Sequence, residues 1–96
     1  MSPTQLTIKV NALKRLIKEE KLYQQEVNEQ ESYVESMKTN NGDKYEIKKQ
    51  VEVLDESKRM IEELKKKLVT YKEDLKTFIA SYSGDEDLTA AKELLV

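Results

Sequence analysis

Cysteine, histidine and tryptophan are all missing from this chain, and each absence closes off a chemistry. Without cysteine there is no disulfide framework and no thiolate nucleophile, which fits a reducing compartment. Without histidine the commonest general base and the commonest metal ligand are both gone. Proline occurs once and glycine twice, so the backbone is seldom interrupted. No apolar run approaches the roughly eighteen residues needed to cross a bilayer. The opening MSPTQLTIKV lacks the cationic start and apolar run of a secretory signal. The expectation is a soluble, cytoplasmic chain that does not enter a membrane.

Neither sign of charge dominates. Seventeen basic and 19 acidic side chains leave a net charge of -2, and their interleaving creates no field that favours nucleic acid. The basic clusters Lys14-Arg15, Lys48-Lys49 and Lys65-Lys66-Lys67 each have acids within one helical turn, as solvated helix faces do. Hydrophobic residues make up 38% and charged residues another 38%. That ratio is poor in core and suits long helices side by side, each burying one stripe.

What the chain does have is such a stripe. Ile47, Val51, Leu54, Ile61, Leu64, Leu68, Tyr71, Leu75, Phe78 and Tyr82 recur mostly at three- and four-residue steps, with neither proline nor glycine between residues 43 and 82. A helix over 43–82 would be roughly 60 Å long, too long for the core of a compact domain. Asp43 and Glu46 form a capping box at its start. An earlier helix is expected over 3–38, with Ser2 as cap, Pro3 in the first helical position and Gln5 closing the box. Its stripe runs Leu6, Val10, Leu13, Leu16, Ile17, Tyr23, Val27, Val34 and Met37; Glu20, Gln24 and Gln30 interrupt it, so its middle packs less tightly. Thr39-Asn40-Asn41-Gly42 is a helix-ending turn, short enough to force the two helices antiparallel. Ser83-Gly84 ends the second helix. Ser83 with Glu86 caps a short third one over 86–95, whose apolar face is Leu88, Ala91, Leu94 and Leu95.

The fold class is therefore all-α: one domain over 1–96, an antiparallel three-helix bundle of two long helices and a short C-terminal one. It is rod-like, with spectrin-like, coiled-coil-like packing. Acid-before-base pairs at four-residue spacing, Asp55–Arg59, Glu62–Lys66 and Glu63–Lys67, reinforce the wet face of the second helix. A rod without a concavity offers no place for convergent catalytic groups. The acidic pairs Glu19-Glu20, Asp55-Glu56 and Glu62-Glu63 are sequential and point to different sides of a helix. Neither a phosphate-binding glycine motif nor a calcium loop is present. No enzyme activity, metal or cofactor is expected. Of the five tyrosines, Tyr71 and Tyr82 read as core, Tyr23 fits either role, and Tyr33 and Tyr45 flank the turn as candidate partner contacts.

Two blocks carry a family resemblance. Residues 43–61, DKYEIKKQVEVLDESKRMI, and residues 8–27, IKVNALKRLIKEEKLYQQEV, resemble tubulin-specific chaperone A, also called tubulin-folding cofactor A. The run Tyr45-Glu46-Ile47-Lys48-Lys49-Gln50 is the most specific part. Pro3-Thr4-Gln5-Leu6 and Lys72-Glu73-Asp74-Leu75 look like fungal members. The resemblance implies an all-helical bundle that uses no nucleotide. It implies binding of quasi-native β-tubulin after its release from the chaperonin, and its passage towards the αβ heterodimer. Other tubulin-folding cofactors would then be further partners. Two departures stand out: Glu62 where relatives are expected to carry proline, and a shorter segment after Gly84.

A structural coiled-coil adaptor that homodimerises and tethers other proteins is the competing reading, and a prefoldin-like subunit a third. The last needs strands between its helices, and Thr39–Gly42 leaves room only for a turn. Since the resemblance implies an acidic partner, the basic residues Lys14, Arg15, Lys18, Lys48 and Lys49 are the first candidates for its docking, along the helices and not at the turn. A homodimer is expected too, because two helices alone would leave Val27, Val34, Met37, Ile47, Val51 and Leu54 wet.

Overall fold

The computed structural model describes residues 3–96, which form a rod 63 × 26 × 17 Å in extent. Helix α1 spans Gln5–Thr39, α2 spans Lys44–Ala80 and α3 spans Thr89–Glu93. The expected Ser2 cap lies outside the described residues. Thr4 does the capping instead: extended, it accepts the Thr7 N–H on its hydroxyl at 3.2 Å. Pro3 therefore stands before the cap and not in the first helical turn.

The turn after α1 uses both residue types expected there, in different ways. Asn41 takes the left-handed conformation at φ 55°. Its N–H reaches Lys38 O at 3.3 Å while Gly42 N–H reaches Met37 O at 2.8 Å, the paired bonds of a Schellman ending. Gly42 is needed for closeness, because a Cβ there would sit 2.9 Å from Met37 O. Asp43 then caps α2, its carboxylate accepting the Tyr45 N–H at 3.3 Å. Glu46 adds a negative charge to the first turn, where the helix dipole favours it. Helix α2 runs through Glu62 without a break.

Buried side chains recur every seven residues on both long helices: Leu6, Leu13, Val27 and Val34 on α1, Leu54, Ile61, Leu68 and Leu75 on α2. That is the seam of a coiled coil. The missing repeat on α1 is Glu20, and the core divides there. Leu6, Val10, Leu13 and Leu16 pack with Leu64, Leu68, Leu75 and Ala91. Val27 and Val34 pack with Leu54 and Ile61, and the half-buried Tyr23 touches both groups. Lys9–Asp74 at 2.6 Å and Glu31–Lys58 at 3.1 Å set the antiparallel register. Gln30, the last of the interrupting residues, leaves its buried side-chain oxygen unpartnered.

Four expectations change. Tyr71 is 41% exposed and outside the core, because it stands on the flank of the seam beside Ile8 and Ala12. The third helix has five residues and not ten. Its approach is held by side chains: the Tyr82 hydroxyl donates to the Glu86 carboxylate at 3.0 Å and accepts the Glu86 N–H at 3.3 Å, so Glu86 is not free to join Ser83 in a capping box. The ion pairs within α2 are Glu56–Arg59 and Glu62–Lys65, at three-residue spacing, in place of the four-residue pairs expected. Finally, the surface offered for homodimerisation is largely closed within the chain. Val27, Val34 and Leu54 are buried against one another, and Met37, Ile47 and Val51 are half-buried.

Candidate partner-binding surface

The two-helix seam has two flanks. One is marked by α3, whose approach lies against Leu6, Thr7, Val10 and Asn11. The other is marked by a shallow groove between Ile8, Lys9 and Ala12 on α1 and Thr70, Tyr71 and Asp74 on α2. Seven-residue steps from those markers assign the remaining exposed side chains.

This assignment separates the basic candidates. Lys14 and Lys48 fall on the α3 flank, Arg15 and Lys49 on the opposite flank, and Lys18, seven residues beyond Asn11, on the outer edge of the α3 flank. All five are exposed. Lys14, Arg15 and Lys18 also lie in the half of α1 away from the turn, whereas Lys48 and Lys49 lie beside the turn. Counted from the Lys9–Asp74 pair on the same flank, Lys49 stands level with Val34, so about 19 residues, roughly 28 Å of helix, separate it from Arg15. Five bases that read as one set along the sequence form no single patch.

Tyr33 and Tyr45 are both more than half exposed. Tyr33 belongs to the flank away from α3, where it joins Glu26, Glu29 and Gln30 around a shallow depression. Tyr45 sits on the outer ridge of α2 with the Lys49 ammonium 4.7 Å above its ring, a cation–π pairing that orients both. Ile8, Leu22, Val53 and Val69, none of them a sequence-predicted contact, are all about half exposed or more. Their signal was available, since each lies off the stripe that forms the seam. With Tyr33 and Tyr71, the first three give the flank away from α3 most of the exposed apolar side chains. Val69 and Ile17 lie on the α3 flank.

Chemically this is a surface for contact. Among the described residues no three acidic side chains gather as a metal site, and no helix is long and apolar enough to cross a membrane.

Comparison with known proteins follows the same lines. The family model for tubulin binding cofactor A matches residues 1–95. Tubulin-specific chaperone A of Saccharomyces cerevisiae is 50% identical over 99% of this chain and 97% of its own length. The protein of the same name from Rattus norvegicus is 39% identical over 93% of this chain and 80% of its own. A solved structure described as a β-tubulin binding post-chaperonin cofactor superposes with a TM-score of 0.90 at 48% identity, over 96% of this chain and 91% of that one. Tubulin folding cofactor A from Arabidopsis thaliana gives 0.85 at 32% identity, over 94% and 88%. This chain belongs to the tubulin binding cofactor A family.

Proposed function

We propose that this chain is a non-catalytic, cytoplasmic chaperone that binds quasi-native β-tubulin and holds it on the way to the αβ heterodimer. The observation that carries this reading is whole-length likeness, in sequence and in helical hairpin shape, to a cofactor described as binding β-tubulin. Action by capture is supported by the side chains themselves. Histidine and cysteine are absent from the sequence, and the acids are spread along helix faces among lysines. Capture needs exposed contact area on a stiff support, and a coiled-coil seam with two decorated flanks supplies both.

The homodimerising adaptor finds less support, since most of the apolar residues it would bury are already covered inside the hairpin. A direct test mixes the purified chain with freshly chaperonin-released β-tubulin and, separately, with α-tubulin, and resolves the complexes on native gels. A stoichiometric complex with β-tubulin alone is expected. Equal capture of both tubulins, or of neither, would sink the proposal.

A further inference from the structure

Val10 and Ile17 occupy equivalent places on α1, seven residues apart on the same flank of the seam, but α3 covers only the first. Val10 is 9% exposed, in the cluster that includes Ala91 of α3, whereas Ile17 is 37% exposed. The groove that seats α3 therefore continues beyond it. The Glu31–Lys58 pair at 3.1 Å shows what faces what along this flank. Fourteen residues back along α1 from Glu31 is Ile17; fourteen forward along α2 from Lys58 is Lys72. The uncovered stretch is thus walled by Lys14, Ile17 and Lys21 of α1 and by Lys65, Val69 and Lys72 of α2.

Its exposed rim is basic, while the half-buried Glu20 stands on the seam between the two walls. Val69 is 63% exposed, so two aliphatic side chains lie in the open between four lysines. Among the described residues Lys14, Lys21 and Lys72 make no ion pair, and Lys65 has only a 4.0 Å approach to Glu62. Further along the same groove Glu31, Asp55 and Glu62 balance the bases, so the basic character is local. The occupant already in the groove shows what shape fits it. The α3 segment lays Leu88, Ala91, Leu94 and Leu95 against the seam, which is one apolar side of a helix.

We propose that this stretch is a second helix seat, taking an amphipathic client helix whose apolar side meets Ile17 and Val69 and whose flanking carboxylates meet the four lysines. The proposal rests on the reading that the client is β-tubulin, to whose surface the helix belongs. Lys14 to Lys21 spans about 10 Å of helix axis, enough for two turns of a partner. Unpaired lysines around an apolar centre steer an acidic helix to the seat and set its register, chiefly through the association rate.

The test compares two charge-matched double variants in β-tubulin capture. Lys21→Glu with Lys72→Glu alters the seat; Lys66→Glu with Lys67→Glu makes the same charge change on the outer ridge and opposite flank of α2. All four side chains are exposed, and circular dichroism is to check that both variants keep their helices. The seat variant is expected to slow association about tenfold at low salt and to lose much of its salt dependence, with the control within about twofold of the parent. Equal slowing in both variants, or none in the seat variant while the parent captures β-tubulin, overturns the seat and leaves the proposed function standing. A parent that captures no β-tubulin overturns both. Light scattering at twice the 11.2 kDa chain mass, lost in the seat variant, would place a second copy in the groove and also overturn the proposal.

Discussion

The Thr4 hydroxyl donates to the Glu86 carboxylate at 2.9 Å, across 82 positions of chain, while accepting the Thr7 N–H at 3.2 Å. One side chain thus caps α1 and ties down the segment leading into α3. Glu86 is held from the other side by the Tyr82 hydroxyl. Gly84 lies close over this arrangement: a Cβ there would overlap the Tyr82 hydroxyl and come within 2.6 Å of its Cζ. A five-residue helix has little helical stability of its own, so these side chains and the Ala91 contact hold α3 in place.

Thr4→Ala removes the cap and the tie together. Loss of about 1 kcal/mol is expected from the cap, read as a shift in urea midpoint at unchanged slope. Hydrogen exchange should quicken in both the first turn of α1 and the α3 amides. Faster exchange in the first turn alone would show that the Thr4–Glu86 bond does not order α3.

Titration offers a second check on the same segment. Burial of its hydroxyl raises the Tyr82 phenol above its ordinary value; the Glu86 N–H acts in the opposite direction, and the Glu86 carboxylate raises it further. A phenol raised on folding ionises first in the unfolded chain. Its contribution is therefore complete below about pH 10 and is lost as pH rises through the folded value. Asp87 works in the other direction: the Thr89 hydroxyl, then the Thr89 N–H, lower its carboxyl. Its contribution is present above about pH 4 and fades as pH falls through the folded value. Phenolate absorbance should show one of the five tyrosines ionising last, and Tyr82→Phe should remove that step. If the late step survives the substitution, the assignment is wrong.

Leu13 and Leu75 are both 0% exposed and lie in the larger of the two clusters. Alanine at either should cost about 3 kcal/mol and lower Tm by more than about 10 °C. Leu54→Ala and Leu68→Ala should cost about 2 to 4 kcal/mol, since both are buried on the seam. A shift of only a degree or two in any of them would mean that the seam is packed differently.

Gln30 points the other way, towards stabilisation. Its buried side-chain oxygen has no partner, so Gln30→Leu should raise stability by about 1 kcal/mol by removing an unmet hydrogen bond beside Val27 and Val34. Thermal unfolding decides it: a lower Tm for Gln30→Leu would show that water or a partner satisfies the amide.

The sequence by itself determined the two long helices, their antiparallel pairing and the family. Helix periodicity, capping residues and the Asn41-Gly42 ending act within a few residues of each other, so their physics is local and legible. A looser middle of α1 was legible too, from Glu20, Gln24 and Gln30, whereas the division of the core at Glu20 came from the packing. Only the tertiary structure decided which flank each surface residue joins. Lys14 and Arg15 are neighbours in sequence, yet they fall on opposite sides of the seam, because a 100° step per residue carries them past a partner helix whose register is set elsewhere. The same holds for Tyr71, whose exposure depends on what α2 meets across the seam, and for Glu86, which was expected to cap a helix and instead joins Tyr82 and Thr4. Long-range packing chose among local options that were each acceptable, and it placed the candidate binding surfaces.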